Sequence, residues 1–311
     1  MTAALEVRGI TRKFQELTAV SRVSFSVEPG EIYGFIGPNG AGKTTTMRIC
    51  ATLDLPDTGD VFVDGTSVIE EPRLARAKIG FMPDSYGAYP HTTIREYLDF
   101  YARAYGLRGK ARAKSVAEVL DFTSLTQLDE KPIDKLSKGM KQRLCLAKTL
   151  LPDPHVLILD EPAAGLDPRA RVELRELVKA LGAMGKAVLI SSHILSELAE
   201  MCDGIAVIES GKLLANGSVA EIQKRLQPHL SIYLRTLGPV DETHKALLEE
   251  AQVSNVHEAR EGLAFDFAGD DAAMAELLAR LVLRGVRPVE FAGEAVRLED
   301  LFMSLTEGKL Q

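Results

Sequence analysis

The run Gly37, Pro38, Asn39, Gly40, Ala41, Gly42, Lys43, Thr44 fits the spacing G-x-x-x-x-G-K-[ST], with Thr45 directly after it. Each residue type there has a chemical reason. Glycines let backbone N–H groups curl inward around an anion without Cβ clashes. A helix starting at Thr44 aims its N-terminal partial charge, about half an elementary charge, at the same point. Lys43 adds a full positive charge, and the Thr44 hydroxyl is a hard oxygen ligand suited to Mg²⁺. The chemistry favoured is the gripping of a nucleotide's phosphates; the bland alternative is a glycine-rich turn with an incidental lysine.

A second pair of groups, Asp160 and Glu161, closes the apolar run Val156–Leu159. In open α/β sheets, ligands bind at the C-terminal ends of such strands. One carboxylate there can hold Mg²⁺ and the other can polarise an attacking water, which makes Glu161 the candidate general base. Upstream, Ser137 is a natural N-cap for an apolar-periodic helix through Leu150, and Gly139 leaves backbone exposed at its mouth. That start reads either as a second phosphate-facing helix terminus or as a plain structural cap. His193, taken alone, reads as a packed core histidine.

These groups need elements to position them. Leu5, Val7, Ile10 and then Val20, Val23, Phe25, Val27 alternate in the manner of strands, closed by a turn at Pro29 and Gly30. Glu31–Ile36, His155–Asp160 and Ala187–Ser191 are short aliphatic runs suited to buried parallel strands. Thr44–Ala51 has helical character, and Thr92–Thr126 repeats apolar residues at helical spacing. Strands alternating with helices predict a mostly parallel α/β sheet. Past a change of character at Gln223–Pro228, the expected order is strand Leu230–Arg235, helix Glu242–Ala251 and strand Val253–Glu258. Strand Leu263–Phe267, helix Asp271–Leu283 and strand Pro288–Phe291 complete a ferredoxin-like β-α-β-β-α-β unit, and a last helix spans Leu298–Thr306.

Composition narrows the class. The 311 residues suggest about two domains. With 46% hydrophobic and 26% charged residues, disorder, collagen and disulfide scaffolds are excluded. Lys and Arg number 37 against 44 Asp and Glu, a net charge of −7, which argues against a dedicated nucleic-acid binder. Cys50, Cys145 and Cys202 lack CxxC spacing and fit buried small hydrophobes in a reducing compartment. No apolar run approaches a membrane span and no signal-peptide core is seen, so a soluble, cytosolic chain is expected, meeting membranes only through a partner.

From about Leu5 to Leu226 the chain resembles an ATP-binding cassette (ABC) ATPase, with the motifs in family order. Phe14 falls at the adenine-stacking aromatic, with Val20 beside it, and Gly37–Thr44 is similar to the Walker A loop. Ile79–Asp84 resembles the Q-loop, with Asp84 where the family has glutamine. Leu136–Gln142 resembles the signature, with Lys138 and Met140 in place of glycine and glutamine. Val156–Pro162 matches Walker B, Gly165–Pro168 the D-loop with Asp167, and Ser192–His193 the H-loop. The resemblance implies ATP and Mg²⁺ as cofactors, the metal at Thr44, Asp84 and Asp160, with Glu161 and His193 catalytic. It also implies a head-to-tail dimer, expected as a homodimer, in which Ser137, Lys138, Gly139 and Met140 face the other subunit's nucleotide. The carboxylate of Asp84 can still bind Mg²⁺ or orient water, while adding negative charge.

The implied fold is a P-loop NTPase core over residues 1–222, with a parallel sheet, an antiparallel N-terminal β part and a helical subdomain at about 85–150. A small α+β ferredoxin-like domain follows at 228–311. That tail, with Leu298–Phe302, resembles the C-terminal extension of daunorubicin-resistance-type (ABC-2) exporter ATPases. The expected role is the ATP-hydrolysing subunit of an exporter, held at the cytoplasmic face of the cell membrane by an integral membrane permease, with no nucleic-acid partner. The alternatives are a soluble ABC ATPase acting on nucleic acid or ribosomes, and a regulatory module whose tail senses a small ligand. The soluble type usually carries a long coiled coil or two cassettes, whereas this chain has one of each motif. Arg103, Arg108, Lys110, Arg112 and Lys114 read as a solvated face or a docking patch. Tyr86 and Tyr89 read as permease contacts or loop packing.

Overall fold

Alternating apolar residues build β1 (Leu5–Phe14) and β2 (Leu17–Val27), which pair antiparallel. All five residues of β3 (Ile32–Ile36) are buried. Then come α1 (Lys43–Cys50), β4 (Thr58–Val63), β5 (Thr66–Ser67), the short α2 (Pro72–Arg76) and β6 (Ile79–Met82). Helices α3 (Ile94–Ala104), α4 (Gly109–Phe122) and α5 (Lys138–Leu150) lead to β7 (Val156–Leu159). After α6 (Pro168–Ala183) the chain returns as β8 (Ala187–Ser192), α7 (Leu195–Ala199), β9 (Gly204–Glu209) and β10 (Lys212–Ser218). This computed structural model describes residues 3–84, 87, 91–218, 221–222 and 230–293. Tyr86, Tyr89, the stretch Gln223–Pro228 and the expected helix Leu298–Thr306 lie outside them.

Two sheets make up the first compact unit, Met1–Val219. One is antiparallel, ordered β2-β1-β4-β5. The other is ordered β10-β9-β3-β8-β7-β6 and is parallel except for the edge strand β10. Its interior strands are continuous aliphatic runs because helices or sheet cover both faces. In register, Ile36 pairs with Ser192, Leu159 with Ile190, and Met82 with Leu159. The C-terminal ends of β3, β8, β7 and β6 therefore lie side by side, and the loops leaving them share one edge.

The helical character expected over Thr92–Thr126 is carried by two helices, α3 and α4. Gly106 and Gly109 take positive φ (85° and 52°), a left-handed turn that ends α3 and admits α4. Thr93 and Glu96 form a reciprocal capping box at the start of α3. Ile94, Leu98, Leu120, Leu144 and Ala147 close a core of their own among α3, α4 and α5.

The second unit, Ala220–Gln311, contains β11 (Leu230–Thr236), α8 (Val240–Leu248), β12 (Val253–Ala259), β13 (Gly262–Phe267), α9 (Asp271–Leu283) and β14 (Pro288–Gly293). The sheet is antiparallel in the order β12-β13-β11-β14, the ferredoxin-like arrangement. Ile232, Leu234, Phe265, Phe267, Leu277 and Leu281 fill its core. Helix α8 starts two residues before the expected Glu242 and stops short of Ala251. Pro239 sets its N-terminus, Asp241 and Glu242 occupy the first turn, and Glu250 N–H closes the last turn onto Leu247 O. Among the described residues no helix is long and apolar enough to cross a membrane.

Candidate functional site

At the end of β3 the chain turns through Gly37, whose position is forced. A Cβ there would lie 2.3 Å from Ile208 O, a backbone atom of β9. Gly42 has φ 104°, and a Cβ on it would come within 2.4 Å of Ala19 O. Between them Ala41 N–H donates to Pro38 O at 3.2 Å, so the loop closes on itself and α1 begins with Lys43. Lys43 is buried, and its Nζ donates to Gly37 O at 2.7 Å and Pro38 O at 3.2 Å. The ammonium is thus fixed beneath the loop by the loop's own carbonyls.

Glu161 follows the end of β7 and brings its Oε1 to 3.3 Å from Lys43 Nζ. Its Oε2 lies 2.8 Å from His193 Nδ1, on the residue just past β8. The backbone at Glu161 has φ 48°, a left-handed conformation that costs a non-glycine residue about 1–2 kcal/mol. Ser191 holds it there: Glu161 N–H donates to Ser191 Oγ at 2.9 Å, and Ser191 Oγ donates to Asp160 Oδ1 at 2.7 Å. Asp160 is 1% exposed. Burial pushes its carboxyl above the ordinary value, opposed by hydrogen bonds from Ser191 and Thr44, while the Asp84 and Glu161 charges push it further up.

A cleft of about 710 Å³ collects Lys43, Glu161 and His193. From the residues singled out by sequence, Phe14, Asn39, Gly40, Gly42, Lys43, Thr44, Thr45, Asp84, Lys138, Glu161 and His193 line it. Leu17, Thr18, Ala19, Ala164 and Ser210 line it as well, with no local motif to announce them. Phe14 is 44% exposed, and the Arg12 guanidinium sits 4.8 Å from its ring centroid. Asp54 at 2.9 Å and Asp57 at 3.1 Å anchor that guanidinium, leaving the ring's other face for a ligand.

Several expected residues sit elsewhere. Val20 is fully buried in the core and does not line the cleft; Thr18 and Ala19, just before it in β2, do. Gly37, Pro38, Ala41 and Asp160 do not line the cleft, and Gly37, Ala41 and Asp160 are buried. Ser137 caps α5, accepting from Met140 N–H at 3.3 Å, and Asp167 caps α6, accepting from Ala170 N–H at 2.9 Å. Gly139 packs on α6, where a Cβ would come within 2.8 Å of the Ala170 Cβ, and Met140 packs on the helical core. Ser191 and Arg12 carried no motif signal, since a serine in a strand and an arginine beside an aromatic are common.

The family model described as "ABC transporter" matches residues 20–164. The linearmycin resistance ATP-binding protein LnrL of Bacillus subtilis is 33% identical over 304 residues, covering 97% of this chain and 98% of that protein. A Nod factor export ATP-binding protein I of Burkholderia orbicola is 35% identical over 314 residues, covering 99% of each. Among solved structures, an ATP-binding subunit of an ABC transporter superposes with a TM-score of 0.65 at 30% identity, covering 72% of this chain and 93% of that one. With full-length relatives above 30% identity and the phosphate loop, carboxylates and histidine on one strand edge, the chain belongs to the ATP-binding, ATP-hydrolysing subunits of ABC transporters.

Proposed function

We propose that this chain drives export by closing on ATP against a second copy of itself and passing that closure to a separate integral membrane permease at the cytoplasmic face. The observation that carries the catalytic part is Glu161, held in a left-handed backbone conformation with Lys43 on one carboxylate oxygen and His193 on the other. Export is supported by the relative named for Nod factor export, and a separate membrane partner by the transporter family together with the lack, among the described residues, of a helix able to cross a membrane.

In this reading the amides of Gly40–Thr45 and the Lys43 ammonium bind the triphosphate, and the free face of Phe14 stacks on the base. The triphosphate displaces Lys43 from Glu161, freeing that carboxylate to accept a proton from the attacking water. His193 orients Glu161 and meets the terminal phosphate. Ser137 and Gly139 at the start of α5, with Met140 behind them, and Asp167 serve the nucleotide of the second copy, so hydrolysis needs the dimer.

The donors near the phosphates suit Mg²⁺. Among the described residues no cluster of three or more His, Cys, Asp or Glu could hold a metal unaided. Thr44, Asp84 and Asp160 offer hard oxygens, and Asp160 is a buried carboxylate beside two others, where a divalent cation relieves the repulsion. When bound, Mg²⁺ would neutralise charge on the β- and γ-phosphate oxygens.

Glu161→Gln tests the assignment. It should bind ATP, accumulate dimer by light scattering and lose turnover by about 10²-fold or more. Undiminished turnover would remove Glu161 as the base.

A further inference from the structure

Phe14 lines the cleft with a cation already on its ring. The Arg12 guanidinium lies over the ring, 4.8 Å from the centroid, yet Arg12 is not part of the cleft wall. Two aspartates hold it there: Nη2 is 2.9 Å from Asp54 Oδ1, and Nη1 is 3.1 Å from Asp57 Oδ1. Those carboxylates are pinned in turn. Asp57 N–H donates to Thr11 O at 2.7 Å, and Asp57 Oδ2 accepts from Lys13 N–H at 2.6 Å. Asp54 Oδ1 accepts from Leu55 N–H at 2.9 Å, while Asp54 N–H donates to Arg48 O in the last turn of α1 at 3.3 Å. The contacts thus run from the ring, through Arg12, to the far end of the helix that starts at the phosphate loop. A single guanidinium facing two carboxylates offers no net positive charge to a phosphate. What it offers is a fixed ring, whose ordering is complete before a ligand arrives, and a cation on one face of that ring's π-system.

We propose that Arg12 is a positioning residue for the nucleobase, setting Phe14 at a fixed place relative to the phosphate loop so that the open face of the ring meets the base. The proposal rests on the reading of the cleft as a nucleotide site with Phe14 as its stacking residue. It divides the affinity in two, phosphates to the loop and base to the ring, and gives Arg12 to the second part alone.

The test is calorimetric titration of ATP, and of inorganic tripolyphosphate, which has no base. Each is titrated into the full chain with Mg²⁺ at about 0.3 M salt, where exposed charges are screened. Arg12→Met should weaken ATP about three- to fivefold and leave tripolyphosphate within about twofold. Arg12→Lys should lose less, since an ammonium still faces the ring. In a Phe14→Ala background, Arg12→Met should cost ATP little more, because two residues acting through one contact do not add. In steady-state hydrolysis the Arg12→Met loss should fall on KM, with kcat within about twofold. Retained tripolyphosphate binding also shows that the phosphate loop of the variant is folded. Equal losses for ATP and tripolyphosphate would overturn the proposal, as would an Arg12→Met effect that persists in full without Phe14, or no effect at all. Phe14→Ala with undiminished ATP affinity would bring down the stacking role and the proposal with it. A parent chain that bound neither ligand would bring down the nucleotide reading itself, which is a distinct result.

Discussion

Asp160 concentrates the conflict between folding and chemistry. Its carboxylate is 1% exposed and its pKa is raised, first by desolvation. A carboxyl raised in the folded state contributes stability below its unfolded value and loses that contribution as pH rises through the folded value. At neutral pH the ionised side chain therefore costs the metal-free protein stability. Asp160→Asn should raise the metal-free Tm by roughly 2–4 °C at neutral pH, a gain that shrinks as pH falls below the carboxylate range, while ATP hydrolysis is lost. A calorimetric Tm that falls at neutral pH would show that the carboxylate contributes hydrogen bonds the amide cannot replace. At this scale the sequence was readable wherever a residue belongs to a spacing pattern: Lys43, Thr44 and Glu161 lie in the cleft because their motif is local. Ser191, which ties Asp160 to Glu161, was not readable, since its importance comes from a neighbour 31 positions away. Val20 was misplaced because its burial in the core depends on long-range packing that nearness to Phe14 in sequence does not convey.

Among the elements, the aliphatic runs were enough to find β3, β7 and β8, but their neighbour order was not in the pattern. Pairing of β3 with both β8 and β9 is long-range, and burial alone cannot say which buried strand lies beside which. That order matters, because it brings the phosphate loop, His193, the carboxylates and Asp84 to adjacent strand ends. The tightest point is where β3 meets β9. Gly37→Ala would push a Cβ to 2.3 Å from the Ile208 carbonyl, a backbone atom that cannot rotate aside. The loop must shift to accommodate it, so ATP affinity should fall by about tenfold or more with the circular dichroism spectrum unchanged. Retained affinity in a binding titration would show that the loop tolerates the shift. The break at Gly106 inside the helical stretch was not legible, because the left-handed turn shows only in the backbone.

For the whole molecule, the two units each close a hydrophobic core, one around the sheets and helices of Met1–Val219 and one around Ile232, Phe265, Phe267 and Leu277. Calorimetric unfolding should therefore show two transitions. Only the one belonging to the first unit should move with ATP, by about 2.7 kcal/mol at a hundredfold excess over Kd. A single transition that moves as one would mean the units unfold together. The β-α-β-β-α-β order of the second unit was legible because its apolar periods switch cleanly between two and about 3.6 residues. Its use to the protein was not, since no local motif like the one at Gly37–Thr44 marks any of its residues.

The three thiols are free and buried, and they sit in different parts of the first unit: Cys50 closes α1, Cys145 lies within α5 and Cys202 follows α7. Burial holds all three above the ordinary thiol value, Cys50 at about 12, so the reactive thiolate is scarce while the surrounding structure stays shut. Alkylation of each sulfur is thereby limited by how often the structure packed around it opens rather than by the reagent. The chain carries three native clocks for local breathing, one of them on the helix that starts at the phosphate loop and another on the helix that starts at Lys138.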